Sequence, residues 1–158
     1  MNTTYLRSIL LPLGLALLAT FSLPSQAYQL MQIQGIPGDA QEPGYRNWIR
    51  IDSISANILN GECSQIVIAK RFDSTSLPLI MAASSGMIIE EILIANLENT
   101  AGEKPIETFR VQLSPASIET VSLSGADSLQ ESLSIMTENL TFNPGPEEYI
   151  VPCNKRIK

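Results

Sequence analysis

Histidine does not occur anywhere in the 158-residue chain. Its absence removes Ser-His-Asp and Cys-His nucleophile arrangements, HExxH zinc sites and histidine-held haem together. Positive charge is scarce as well: 10 Lys and Arg face 16 Asp and Glu, giving −6 overall and an isoelectric point of about 4.6. A nucleic-acid backbone calls for clustered Lys and Arg, so DNA and RNA are disfavoured as partners. Only 2 cysteines are present, and with no CxxC spacing thiol-disulfide catalysis has no support. Charged residues make up 16% of the chain against 44% hydrophobic, which is not the composition of a disordered segment. The length suits one domain with a real apolar core, and nothing in it implies a cofactor.

Residues 1–27 read as a secretory signal peptide. Arg7 supplies the positive n-region and Ile9 to Phe21 the apolar h-region. Ser25-Gln26-Ala27 then puts small residues at −3 and −1 of a cleavage site. Cleavage between Ala27 and Tyr28 leaves residues 28–158, one charge more negative and with no stable membrane anchor. An uncleaved membrane tether is the alternative, although the apolar stretch, broken by Pro12 and Gly14, falls short of the ~20 residues of a span. Export puts the chain in the periplasm or beyond it, where Cys63 and Cys153 have a single intramolecular pairing open to them. Such a bridge would stabilise by about 4 kcal/mol in the chain-entropy model. Two free thiols are the other reading.

Past Tyr28 the apolar period is 2 more often than 3.6. Met31 and Ile33 alternate with glutamines until Gly35-Ile36-Pro37-Gly38 stops the run, and Asp39 to Gly44 is turn-rich. Trp48 to Ile58 alternates with a phase slip near Ser53-Ile54, which suggests a β-bulge. Asn60-Gly61 marks a turn and Ile66-Val67-Ile68 a β-branched strand. Ser74-Thr75-Ser76 offers N-cap hydroxyls, Pro78 fits a first helical turn and Gly86 a C-cap, with Leu77, Ile80 and Met81 on one apolar face. Ile88 to Leu97 reads as a strand, Asn99 to Pro105 as a hairpin loop, and Thr108–Leu113, Ile118–Leu123 and Glu131–Phe142 as three more strands. About seven strands and one short helix make a mainly β fold, an antiparallel barrel or two-sheet sandwich, over residues 28–142. Residues 143–158 form a tail tethered through Cys153 if the disulfide forms.

The order of these elements resembles the Hcp family, the haemolysin-coregulated proteins that build the inner tube of type VI secretion systems. The resemblance runs from about Leu30 to Phe142. It rests on the strand ending in Gly35-Ile36-Pro37-Gly38 and on Trp48-Ile49-Arg50-Ile51-Asp52-Ser53-Ile54-Ser55, similar to the family's W-I-x-V-x-S-x-S strand. Lys70-Arg71-Phe72-Asp73-Ser74-Thr75-Ser76-Leu77-Pro78 is similar to its K-x-x-D-x-x-S-P element, with Leu77 between the serine and the proline. Ala82 to Gly86, Phe109–Leu113 and Glu131–Ile135 continue the match. The resemblance implies a compact antiparallel β-barrel with one helix, self-association into six-membered rings that stack, and a structural, non-enzymatic role. The serines, threonines and glutamines alternating along several strands suit a polar channel wall, and equally the solvent face of a monomer. Two departures are the leader and the loop between the family's second and third strands. That loop is cut down here to about Leu59–Gln65, where Cys63 would pin it to the tail.

A monomeric periplasmic or secreted binding module is the competing reading. Glu90-Glu91 are adjacent on a strand and point to opposite faces, so they cannot share a site. Glu147-Glu148 reads as a solvated pair, and convergent carboxylates for a metal are lacking. Asn139-Leu140-Thr141 fits a glycosylation sequon incidentally, and Lys155-Arg156-Ile157-Lys158 reads as a solvated basic end.

Overall fold

The computed structural model describes residues 27–60, 62–99, 104–143 and 147–153. The leader before Ala27 and the basic end Lys155–Lys158 lie outside the described residues, as do Gly61 and most of the Asn99–Pro105 loop. Elements follow in the order β1 (Ala27–Ile33), β2 (Ile49–Ile51), β3 (Ser53–Leu59), β4 (Glu62–Arg71), α1 (Ser76–Ser85), β5 (Ile88–Ile89), β6 (Ile92–Glu98), β7 (Ile106–Ser124), β8 (Gln130–Asn143) and β9 (Tyr149–Pro152). All nine strands join one antiparallel sheet ordered β2-β1-β6-β7-β8-β4-β3, with β5 also on β7 and β9 also on β8. The two end strands β2 and β3 are consecutive in the chain, with Asp52 alone between them. A sheet whose two ends are joined by one residue has to curl, and the fold is the mainly β, barrel-like architecture read from the sequence.

Alternation decides what the curl encloses. Met31, Ile49, Ile66, Ile68, Ile92, Ile94, Leu113, Leu133 and Ile135 are all buried inside it, with Leu79 of α1 closing one flank against β7. A smaller cluster sits on the opposite face of β1 and β6, where the segment between β1 and β2 folds over Leu30, Ala95 and Leu97. Tyr45 and Trp48 seal it edge to face, centroids 5.0 Å apart at 81°. Gly38 makes that cover possible, because a Cβ there would lie 2.2 Å from the carbonyl oxygen of Trp48.

Several expectations change on contact with the folded chain. The phase slip near Ser53 is not a bulge: the chain leaves β1 and joins β4 there, and the bulge comes later, between Ala56 and Ile58. Ile88–Leu97 is split at Glu90-Glu91, which falls between β5 and β6. Both halves pair with β7, on either side of Ser114-Pro115. Proline has no N–H to offer the ladder, so pairing is interrupted opposite it. β7 itself runs unbroken through Pro115, joining two strands expected to be separate. Cys63 lies on β4 rather than in a loop, since β3 runs to Leu59 and β4 already begins at Glu62. Residues 149–152, read as tail, form β9 on the edge of β8.

Helix α1 ends at Gly86 as expected, in a left-handed C-cap with φ 62°. Its inward face is different. Ser76, Leu79 and Ala82 are buried, whereas Leu77 is 65% and Met81 71% exposed. Nor does a side chain cap its start: the Thr75 hydroxyl donates to Asp73 at 2.6 Å instead. Leu79→Ala should therefore lower the unfolding free energy by about 2–5 kcal/mol, and Leu77→Ala should stay within about 0.5 kcal/mol. Urea denaturation of the two variants checks the assignment, and the reverse order would restore the Leu77–Met81 face to the core.

Candidate assembly surface

The rotation of α1 is set by a buried ionic cage. Lys70 on β4 and Glu131 on β8 are direct cross-strand neighbours, 0% and 1% exposed, with Nζ 3.1 Å from Oε2. The ammonium also forms an ion pair with Asp73 at 2.9 Å and donates to the carbonyl of Arg71 at 2.7 Å and to the Ser76 hydroxyl at 3.3 Å. Ser76 in turn donates to Glu131 at 2.5 Å. That bond points the first helical residue into the core and carries Leu79 and Ala82 in behind it. Burial disfavours the charged form of Asp73, but hydrogen bonds from Thr75 and Lys70 outweigh it and hold the carboxyl below its usual range. A Ser–Lys contact would suit nucleophilic catalysis if the amine were free and the hydroxyl open. Here the hydroxyl is committed to Glu131 and both groups are sealed from solvent, so the cage is structural.

Around the cage stands a four-stranded wall: the outer half of β7, β8, β4 and β3. Residues across it are in register. Ser53, Ala69, Ser132 and Ser122 form one row, and Ser55, Val67, Ser134 and Thr120 the next. A third row runs Arg71, Gln130 and Ser124. All three lie on the face away from the core, which is thus made of small, mostly hydroxylic side chains with Arg71 as its one charge among these rows. Gln65 adds an amide that donates to Ser134 at 2.6 Å. The opposite face carries Ile54, Ile68, Leu133 and Val121, with Lys70 and Glu131 in the row beyond.

Both edges of this wall are open. β6 and β5 leave β7 by Ser117, and from Ile118 to Ser124 β7 pairs with β8 alone among the described residues. At the other side β3 pairs, among the described residues, with β4 alone. Neither β3 nor the outer half of β7 carries Lys, Arg or Pro, the residues that usually blunt a free edge, and Glu119 is the single charge between them. The long axis ends in apolar tips, with Ile58 and Leu59 at the β3–β4 turn and Phe72, Leu123 and Leu129 at the other end, all exposed. Phe72 is fastened there by its N–H to the carbonyl of Leu129 at 3.0 Å.

The remaining residues singled out in the sequence are scattered. Cys63 and Cys153 meet, buried, with Cα atoms 4.6 Å apart, within the span of a disulfide. Ala27 and Tyr28 open β1, paired with Glu98 and Leu97. Glu90 and Glu91 are exposed, and Glu91 accepts from Gln112 at 2.6 Å. Glu147 accepts a hydrogen bond from Tyr149. Asn139 donates to the carbonyl of Ser114 at 3.1 Å. Among the described residues no group of His, Cys, Asp and Glu is arranged to hold a metal, and no helix is long and apolar enough to cross a membrane. A second polar network fastens the segment before β2: Tyr45 donates to Glu107 at 2.5 Å, and Arg110 donates twice to the same carboxylate at 2.8 and 2.6 Å. Burial first, then the Glu107 bond, push the Tyr45 hydroxyl up to about 12.

One protein-family pattern, described as "Type VI secretion system effector, Hcp", matches residues 30–143. Among solved structures the fold is similar to Hcp1 from Salmonella typhimurium, with a TM-score of 0.70 at 18% identity, covering 78% of this chain and 91% of that one. A type VI secretion system effector from Yersinia pestis is similar at TM-score 0.67 and 16% identity, over 78% of this chain and 98% of that one. For secreted protein Hcp3 from Pseudomonas aeruginosa the values are 0.66 and 16%, over 82% and 100%. No curated protein matches the chain.

Breaking the cage from one side should be worse than removing it. Lys70→Met or Glu131→Leu alone should cost about 3–5 kcal/mol, while the double variant recovers most of that loss; chemical denaturation of the three variants measures it, and additive losses would argue against a coupled pair. The second network predicts an alkaline limb. Because folding raises the Tyr45 pKa from 10.0 to about 12, its stabilisation is complete below pH 10 and fades as pH climbs through 12. Denaturation midpoints between pH 9 and pH 12 should fall less steeply in Tyr45→Phe; identical slopes would contradict the assignment.

Proposed function

The chain belongs to the Hcp family of type VI secretion system proteins, and on that premise we propose that it is an exported, non-enzymatic structural protein that assembles into six-membered rings. The observation that carries this reading is the open-edged wall. Its strands alternate in direction as β7, β8, β4 and β3. Because their number is even, a second copy set beside the first in the same orientation brings its β7 antiparallel to the first copy's β3. Each added copy repeats the contact, and the natural twist of the sheet turns the row toward closure. The hydroxyl-rich face then lines one side of a continuous sheet, and the buried cage braces the strands from behind.

Export rests on the leader, with Arg7, the apolar run Ile9–Phe21 and a cut between Ala27 and Tyr28. The freed chain would begin on β1, act in the periplasm or outside the cell, and carry Cys63–Cys153 as a disulfide. N-terminal sequencing of the exported protein tests the cut.

Light scattering coupled to size exclusion on the oxidised chain from Tyr28 should return the mass of six subunits. Ser55→Lys combined with Ser122→Lys places two exposed charges along the free edges, and should yield one subunit with unchanged secondary structure. A one-subunit mass for the unaltered chain at high concentration would instead favour a monomeric binding module.

A further inference from the structure

The end of the β3–β4 hairpin is held to the body differently from the rest of the wall. β4 pairs with β8 from Ile66 to Arg71. Before Ile66 that ladder stops, and farther along the same edge of β8, from Asn139 to Phe142, β9 takes the place of β4. The sheet forks here. On one branch the hairpin runs out through Gln65, Cys63 and Leu59, and every residue from Ser55 to Leu59 on β3 is exposed. On the other branch β9 ends at Pro152. Among the described residues the two branches are bridged backbone to backbone at one isolated pair, Cys63 and Cys153, where the Cys153 N–H is itself anchored to the carbonyl of Glu138 at 2.8 Å.

We infer that the Cys63–Cys153 disulfide is an assembly staple: oxidised, it fixes the hairpin and so presents the β3 edge in one position; reduced, it leaves that edge mobile and the chain monomeric. The inference rests on the ring reading, since β3 is the edge on which the next copy would pair. Its physical basis is the cost of ordering. A strand edge that moves must be immobilised when a neighbour binds, and that entropy is subtracted from the affinity of every contact around the ring. A staple at Cys63, opposite Ile58 of β3, removes the cost before association. Both cysteines are buried, 4% and 7% exposed, so the bond is shielded from casual exchange. Opening it needs a dithiol reductant, which passes two electrons and two protons to the Cys63 and Cys153 sulfurs and leaves as its own disulfide. Assembly is thereby confined to an oxidising compartment, where a leader would deliver the chain.

The test compares the oxidised chain from Tyr28 with the Cys63→Ser/Cys153→Ser double variant, reading solution mass together with amide hydrogen exchange. The oxidised chain should be a ring. The double variant should be a single subunit whose amides between Ala56 and Gln65 exchange about tenfold faster or more, while Ile66–Arg71 and Gln130–Ile135 keep their protection. Rings of equal mass from the double variant, or equal exchange in the hairpin, would overturn the staple. A single subunit from the oxidised chain overturns the ring and with it the licensing of assembly, whereas the exchange comparison still decides whether the bond immobilises the hairpin. If the double variant loses cooperative unfolding, the unaltered chain held in a dithiol reductant replaces it under the same two readouts.

Discussion

A charged pair taken out of water is the constraint around which this fold is arranged. Lys70 and Glu131 cannot be left alone in an apolar interior, and their partners must come from whatever elements are near. The Arg71 carbonyl comes from the end of β4, Asp73 from the segment after it, and Ser76 from the first turn of α1. Satisfying the ammonium therefore fixes three things: the register of β4 against β8, the path of the chain after β4, and the rotation of the helix. Leu77 and Met81 then face outward while Leu79 stays in the core, because Ser76 has a stronger claim on the interior than either exposed side chain. A hydrophobic side chain left in water costs a fraction of what an unpaired buried charge would.

The same pair stiffens the middle of the open-edged wall. β4 and β8 are its two central strands, joined by six consecutive residue pairs from Ile66–Ile135 to Arg71–Gln130. β3 and the outer half of β7 extend it on either side without any further strand beyond them among the described residues. Free edges that carry no Lys, Arg or Pro and only one charge, Glu119, are a hazard for a monomer and an asset for a protein that polymerises sideways. The polar face agrees with this. Its serines and threonines are short and neutral, so identical walls can meet around a ring without like charges being forced together.

Much of the local structure was legible because it is written in short range. The alternation of Met31 and Ile33, the β-branched run at Ile66–Ile68, the stop at Gly35–Gly38 and the cap at Gly86 each follow from a few neighbouring residues. Partners far apart in sequence were not legible. Glu131 reads as an ordinary polar position on a strand, and only its pairing with a lysine 61 positions away makes it buried. The buried face of the helix is illegible for the same reason, since apolar spacing at Leu77, Ile80 and Met81 carries no trace of the Ser76–Glu131 bond. Ser114-Pro115 looks like a break and lies within β7, where the chain crosses from β6 to β5 as neighbour. Cys63 reads as a bridging residue, but its position at a fork in the sheet depends on β9, which is four residues long, ends in proline and offers no alternation to read.

Everything proposed for assembly requires that neighbouring copies meet edge to edge. Electron cryomicroscopy of the oxidised chain from Tyr28 resolves that directly. Closed rings are expected in which backbone hydrogen bonds join β3 of one copy to the Ile118–Ser124 edge of the next, with the serine rows facing a common side. Rings whose copies touch through the Leu77–Met81 helix face, leaving both strand edges in solvent, would contradict this.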